Sequence, residues 1–543
     1  MSAELLASHA SRAGVRPALR RALIAACVSA MLVPHQATAH DWTSPVVAAA
    51  AAETAQRRPA PAGWPGTLWP GVSQAPAMPT ANDCRRPPAT FELAGYPLDA
   101  ARPERPARPG SSPPIASARA PGSGAGSSGA GAVEERARAD SMRREALEPY
   151  LRHSGAARAI SPAPTLATAA PGVAAAPPPV ATPTQPPPAA APRPADEAVT
   201  AGVVDDNTDF GEYMAYRQRW PQLARRDLDL SQRVLLDVRD SAGRPVPDAR
   251  VRISAAGREL PLWARTDAGG RTWLLPQPDS TPGAGQRYEV QVSKGGASTR
   301  VLWQPGQKDV LQARLDMPTS GERARLDLVF LVDATGSMGD EIDKLKRSMR
   351  EVADQIARLP TRPDICFGLV TYRDRGDEYF VRGADLTNDL PAFQSVLERV
   401  SAGGGGDYPE ALNEALHTAV HRISWRGEGT ARLVVLVADA PPHLDYPGPQ
   451  YDQDLRAAQA RGIKLLNVGA SGLNPQGEFI FRQMAQFTGG RFVFLTYAQA
   501  NKPASGPGRE TLHDVRNYSV ETLDKLLVRL VGEEMGRWPQ AAP

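Results

Sequence analysis

Apolar and polar positions alternate with different periods in different parts of this chain. From Arg233 to Met317 the period is two. Val234, Leu236 and Val238, then Ala249, Val251 and Ile253, then Tyr288, Val290 and Val292, then Leu311, Ala313 and Leu315 alternate with mostly polar neighbours. Turn signals separate them at Ser241-Ala242-Gly243, Asp267-Ala268-Gly269-Gly270 and Lys294-Gly295-Gly296. Short alternating strands with regular turns predict a small antiparallel β-sandwich over 226–318. Just before it, Phe210, Tyr213, Tyr216 and Trp220 recur at helical spacing. A short amphipathic helix within 205–225 is expected, packed onto the segment that follows. Asp205, Asn207 and Asp209 read as its cap cluster. A calcium loop would need Gly where Phe210 stands and Glu where Tyr216 stands.

From residue 324 strand and helix patterns alternate. Leu326–Val332, Ile365–Tyr372, Tyr379–Val381, Leu433–Ala438, Ile463–Val468 and Phe492–Leu495 read as strands. Ile342, Leu345, Met349, Val352 and Ile356 form a helical stripe, and further helices are expected over 391–400, 409–423 and 478–487. Such alternation builds a doubly wound, Rossmann-like α/β domain, here 324–498, whose ligands sit at the carboxyl ends of the strands. Over 499–543 a polar loop leads to a last helix marked by Val520, Leu523, Leu527, Leu530 and Val531, with Ser519 as its cap.

Composition separates the remaining part of the chain from these patterned regions. The 543 residues include 53 Pro and 47 Gly, with aromatics at only 6%. Residues 40–204 hold much of the Pro, Ala and Gly. They offer too little apolar area to offset ordering entropy and are expected to form a disordered stalk, with a solvated, transient helix at 133–148. Residues 1–39 read as a signal peptide. Arg12, Arg16, Arg20 and Arg21 precede the apolar run Ala22–Val33, and Ala37-Thr38-Ala39 is a small-x-small cleavage site. That run is too short to span a bilayer, so no transmembrane anchor is expected. The net charge of +3 leaves no excess for nucleic acid. Of the 3 Cys, Cys27 would leave with the signal peptide, and Cys84 and Cys366 are expected to stay unbridged, since Cys84 falls in the stalk.

The candidate chemistry lies at strand ends. The first α/β strand runs into Asp333-Ala334-Thr335-Gly336-Ser337, the central apolar strand into Asp439, and Gly403-Gly404-Gly405-Gly406-Asp407 leads into another helix. Converging oxygens without His or Cys select Mg²⁺, Mn²⁺ or Ca²⁺ over zinc. Other motifs read as structural: Arg375-Gly376-Asp377 as a charged turn, and His417 with His421 as a helix face, since Thr418 stands where a metalloprotease would carry Glu.

Asp333 to Ser337, Asp407 and Asp439, on this strand order, resemble the metal-ion-dependent adhesion site of von Willebrand factor type A domains. The resemblance implies a mostly parallel six-stranded sheet with helices on both faces and one antiparallel edge strand. It implies that Thr335 and Ser337 bind a divalent cation, Mg²⁺ before Mn²⁺ or Ca²⁺, with Asp333 and Asp439 close by. The open position on the ion would accept an acidic side chain of a protein or cell-surface ligand. Asp407 stands where the family usually has Thr; a third carboxylate would hold the cation more tightly and leave it less electrophilic. Residues 226–318 resemble carboxypeptidase regulatory-like, transthyretin-type domains through Asp240–Ala249 and Thr266–Gly270, which implies an accessory module without chemistry of its own.

The function expected is an exported, periplasmic or secreted, metal-dependent binding module and not an enzyme. The alternatives are a metal-assisted hydrolase, for which His443 is the only His close to the site in sequence, and an envelope protein whose metal only locks the fold. The mature chain should begin at His40, and N-terminal sequencing of the exported protein should read from that residue; a mature form retaining 1–39 would exclude a cleaved signal.

Overall fold

In a computed structural model, the structure describes residues 84, 88–93, 198–226, 228–230, 232–255, 258–275, 287–304, 306, 310–318, 323–406 and 408–539. The expected signal peptide, the helix at 133–148 and Asp407 lie outside the described residues. Strands β1 (Thr90–Leu93) and β2 (Thr200–Val204) precede helix α1 (Phe210–Arg219). Then come β3 (Val234–Arg239), β4 (Arg250–Ala255), β5 (Arg258–Arg265), β6 (Arg271–Leu274), β7 (Tyr288–Lys294), β8 (Ala297–Trp303) and β9 (Leu311–Arg314). The α/β part runs β10 (Arg325–Asp333), α2 (Ile342–Ile356), β11 (Asp364–Tyr372), β12 (Val381–Thr387), α3 (Leu390–Glu398), α4 (Leu412–His421) and β13 (Thr430–Ala438). It continues with α5 (Tyr451–Arg461), β14 (Ile463–Gly469), α6 (Pro475–Thr488), β15 (Arg491–Thr496), β16 (Val520–Thr522) and α7 (Leu523–Gly536).

A nine-stranded sheet has the order β1-β12-β11-β10-β13-β14-β15-β2-β16. The pairs β11–β10, β10–β13, β13–β14 and β14–β15 are parallel. β10 and β13 are apolar throughout most of their length because both faces of the sheet are covered. Leu326, Leu328, Phe330 and Val332 join Leu433, Val435 and Val437 in one core with α2, α3 and α7. Val329, Leu331, Val434 and Leu436 point the other way and pack with α1, α4, α5 and α6. The chain runs from β10 outward to β11 and β12, then returns across β10 to β13. The sheet therefore switches direction between β10 and β13, the place where sheets of this kind form a crevice at their carboxyl ends.

Six strands form the middle of this sheet as expected, except that the one expected at Tyr379–Val381 begins only at Val381 and runs to Thr387, and three more strands extend the sheet. β1 pairs antiparallel with β12, so β12 is not an edge. β2 lies between β15 and β16, antiparallel to both. Both β1 and β2 fall within 40–204, so that stretch is not a stalk throughout: Thr90-Phe91-Glu92-Leu93 and Thr200–Val204 carry enough apolar and β-branched residues to add strands. The same segment corrects the cysteine reading. Cys84 is bridged to Cys366 in β11, with Cα atoms 6.1 Å apart; Cys84 shortly precedes β1, which pairs with β12, the strand next to β11. Pairing with β2 also keeps Val520–Thr522 extended, which moves the cap of α7 from Ser519 to Thr522.

Asp209 caps α1 by accepting from Glu212 N, and Asp205 accepts from the backbone of Asn207 and Thr208. The helix packs on α6 and on the segment that follows it: Tyr216 stacks on Phe479 with centroids 5.8 Å apart, Arg482 lies 3.8 Å from the Tyr216 ring while binding Asp206, Leu228 and Leu230 share a core with Tyr213 and Tyr216, and Arg233 lies 3.6 Å over the Phe210 ring. Residues 234–314 form a three-stranded sheet, β6-β3-β9, and a four-stranded sheet, β5-β4-β7-β8, sharing one apolar cluster that includes Leu236, Val238, Val251, Val290 and Trp303. The pairing is not wholly antiparallel, since β3 and β9 run parallel.

These small sheets dock at the amino ends of the large sheet's strands. Buried Asp248 accepts from Arg265 at 2.8 Å and Arg432 at 3.0 Å, and its other oxygen accepts from Gly429 N. Burial alone would raise the Asp248 carboxyl, but the two guanidinium groups hold it below its ordinary range. Lys464 bridges Asp267 and Glu534 at 3.0 and 2.7 Å. A further buried ion pair crosses the sheet's lower edge. Arg426 donates to Asp327, Asp364 and the Leu326 and Asp364 carbonyls. Arg426→Ala should cost about 3–5 kcal/mol because it strands a buried carboxylate; urea unfolding monitored by circular dichroism measures this.

Candidate metal centre

Register places the site. Val332 of β10 is level with Val437 of β13. Asp333 is therefore level with Ala438, and Asp439 stands one step beyond it at the direction switch. Asp333 is fully buried and Asp439 nearly so. After Asp333 the chain turns sharply: Thr335 N and Thr335 Oγ1 both donate to Asp333 Oδ1, at 2.9 and 2.7 Å. Thr335 Oγ1 lies 3.0 Å from Ser337 Oγ, which donates to Asp439 Oδ1 at 3.0 Å. Two adjacent hydroxyls, each giving its single proton to a different carboxylate, thus form a relay of oxygens between the two strand ends.

Each remaining wall of the crevice is held by a named contact. Tyr372, ending β11 level with Asp333, donates its hydroxyl to Asp333 Oδ2 at 3.2 Å. Tyr408 donates to the Asp439 carbonyl at 3.1 Å and accepts from Asn474 N at 3.0 Å, which ties β13's end to the loop before α6. The glycine run closes over the relay: Gly336 N donates to Gly404 O, and Gly403 N to Ala334 O. Gly404 and Gly405 have φ of +71° and +74°, where a side chain is disfavoured. A Cβ on Gly405 would also come within 2.9 Å of Glu410 Oε1 and 3.2 Å of Thr335 Cβ.

Asp333, Thr335, Ser337 and Asp439 are therefore brought together; Asp407 lies outside the described residues, so its loop is represented by its neighbours Gly406 and Tyr408. Three contributors carry no sequence signal of their own. Tyr372 and Tyr408 look like ordinary core aromatics until the register puts their hydroxyls here. Asp377, inside Arg375-Gly376-Asp377, accepts from Gly405 N at 2.7 Å and Asp374 N at 2.8 Å and so anchors the glycine run. That tripeptide is a structural turn, with Arg375 stacked 3.5 Å over the Tyr446 ring. Glu410, also buried, adds a carboxylate beside Gly405 and Thr335.

The electrostatics fit a cation. Burial and the neighbouring Asp439 charge push the Asp333 carboxyl up to about 7, against the pull of bonds from Thr335 and Tyr372. All those donors to Asp333 are neutral, so its charge gains hydrogen bonds but no counter-charge from them. Crowded carboxylates and hydroxyls, with no nitrogen or sulfur in the relay, are a donor set for a hard divalent ion.

A family model described as von Willebrand factor A domain matches residues 327–443, the span from β10 through the end of the switch-point crevice. Residues 327–443 form a von Willebrand factor A domain. The chain is 36% identical over 241 residues to von Willebrand factor A domain-containing protein 7 of Rattus norvegicus, covering 39% of this chain and 25% of that protein. It is 30% identical over 124 residues to alpha-protein kinase vwkA of Dictyostelium discoideum, covering 22% of this chain and 19% of that one. With hemicentin-1 of Mus musculus the identity is 25% over 175 residues, 32% of this chain and 3% of that one. The chain spans a quarter or less of the length of each of these relatives.

The glycine run of this von Willebrand factor A domain yields a direct test. Gly404→Ala should destabilise the protein by at least about 1–2 kcal/mol, the cost of a left-handed residue with a Cβ, because the new methyl also strikes the Asp377 carboxylate. Gly211→Ala meets open space in α1 and should leave stability unchanged or slightly raised. Paired denaturant titrations of the two variants check the difference.

Proposed function

We propose that this chain is an exported binding module that holds a protein or cell-surface partner through a divalent cation at the crevice of its von Willebrand factor A domain. The observation that carries the reading is the relay Asp333–Thr335–Ser337–Asp439 at the direction switch of the sheet. Thr335 and Ser337 would bind the ion through their hydroxyls, Asp333 and Asp439 would supply charge directly or through water, and Asp407 would add a third carboxylate. Mg²⁺ suits an all-oxygen site with few protein ligands and retained waters, ahead of Mn²⁺ or Ca²⁺. The ion, when bound, supplies a positive centre able to accept an acidic side chain.

Export is supported by the basic start, the apolar run and the small-x-small site, and by the Cys84–Cys366 bridge, since disulfides persist mainly in oxidising compartments. No helix of the described residues is long and apolar enough to cross a membrane. The two small sheets act as an accessory module of the transthyretin-like kind, docked at the end of the large sheet away from the crevice. A binding role is favoured over hydrolysis by the placement of His443. Its ring pairs with Asp445 at 3.1 Å, approaches Asp374 at 3.6 Å and stacks on Tyr446, so it is occupied by a separate cluster.

Calorimetry and partner capture from an envelope extract test this reading together. Asp333→Ala and Asp439→Ala should abolish Mg²⁺ binding, and chelator should abolish capture. Asp407→Thr should weaken the cation and strengthen a carboxylate-bearing partner, because the charge that holds the metal repels the ligand's charge. Capture indifferent to chelator would leave the metal as a structural lock only; unchanged cation affinity in Asp407→Thr would remove that residue from the site.

A further inference from the structure

A second cluster of metal-ligating groups lies on α4 and α5, built from side chains that the crevice does not use. His417 and His421 stand one helical turn apart on α4, with ring centroids 4.4 Å apart. Both face Asp454 in the first turn of α5. His417 Nδ1 lies 3.0 Å and His421 Nε2 2.9 Å from the same oxygen, Asp454 Oδ1. Asp454 is fully buried, and its other oxygen, Oδ2, is buried with no hydrogen-bond partner among the described residues. A charged group so placed has its second acceptor unsatisfied, a costly arrangement unless another positive group takes it up.

We propose that His417, His421 and Asp454 form a second metal site, for Zn²⁺ or a similar transition-metal dication, that fastens α4 to α5. The donor set decides the class of ion: two imidazole nitrogens and one carboxylate suit zinc and its neighbours and do not suit Mg²⁺ or Ca²⁺. The spacing fits as well. Ligand atoms about 2.0–2.1 Å from a tetrahedral zinc lie roughly 3.3 Å from one another. The observed 3.0 and 2.9 Å need to open by only a few tenths of an ångström. One ligand atom from each of the three groups already lies within 4.8 Å of the others. In place of donating N–H to Asp454, each imidazole would present that nitrogen's lone pair to the ion and carry its proton on the other ring nitrogen. The His417 and His421 side chains are 26% and 31% exposed, so an ion can reach them and water can complete its shell. Arg461 opposes binding, since its charge already interacts with Asp454 while it donates to the Val420 carbonyl at 2.7 Å. With a single carboxylate against that guanidinium, the site should be of moderate strength and should depend on all three ligands.

The full chain, stripped with chelator, is titrated with Co²⁺ and then Zn²⁺. A tetrahedral-type visible Co²⁺ absorption should develop, be displaced by Zn²⁺, and resist a large excess of Mg²⁺. His417→Ala and His421→Ala should each remove the absorption and weaken Zn²⁺ by more than about tenfold, whereas Asp439→Ala, at the crevice, should retain both. Asp454→Asn alters a buried group and can compromise folding, so the more exposed His421 decides the matter. Absence of Co²⁺ and Zn²⁺ binding in the parent chain, or wild-type spectra and affinity in both His variants, would overturn the proposal.

Discussion

Two buried carboxylates at the ends of adjacent parallel strands set the terms for this crevice. Parallel register between β10 and β13 brings Asp333 and Asp439 to the same edge of the sheet, and the direction switch leaves no crossing loop between them. Carboxylates so close and so buried repel one another, and the surrounding groups serve to hold them there. Thr335 and Ser337 hydroxyls span the gap, Tyr372 holds the far oxygen of Asp333, and Tyr408 fixes the backbone of Asp439. The glycine run covers the relay, with Gly405 crowded against Thr335 and Glu410 where a side chain would not fit, and Asp377 keeps that run in place.

The opposite edge of the sheet obeys a different rule. There, buried charges are matched: Asp248 with Arg265 and Arg432, Lys464 with Asp267 and Glu534, Asp327 with Arg426. The pairs of Asp248 and Asp267 join the small sheets to the amino ends of the strands and fix their orientation more than they add stability, because desolvation consumes much of the Coulomb gain. The additional strands follow the same division. β1, secured near the bridge from Cys84 to Cys366, and β2, held between β15 and β16, widen the sheet at its sides without covering the carboxyl ends.

The parts legible in the sequence are those written in strong local patterns. The apolar runs of β10 and β13, the stripe of α2 and the Asp-x-Thr-x-Ser spacing each carry their own signal, so the α/β domain and the relay residues can be read from the chain itself. Pairing partners cannot. β1 and β2 are short strands inside Pro- and Ala-rich sequence, and only the edges they meet make them strands. α5 escapes a sequence reading because its buried face is thin and includes an acid, Asp454, among Tyr451, Leu455 and Ala458. For the same reason His417 and His421 read as an ordinary helix face: their partner sits on a helix with a weak pattern. Tyr372, Tyr408 and Asp377 gain their roles from register and loop closure, which no local spacing encodes.

Access to the crevice is one-sided, and that follows from the same packing. Asp333 and Thr335 are wholly buried, Ser337 is partly open, and Gly339 and Gly406 are exposed. A cation held by the relay would be sealed from below by β10 and reachable only across the rim between the turn after Asp333 and the glycine run. On the proposed reading, a ligand to that cation would arrive over Ser337 and Gly406, the exposed side of the turn and the glycine run. A long side chain on this rim would shield such an ion, and the glycines put none there. On that reading, deep carboxylates would hold the cation and the rim would decide which ligands meet it; the two demands would fall on different residues because the strand ends are buried and the loops are not.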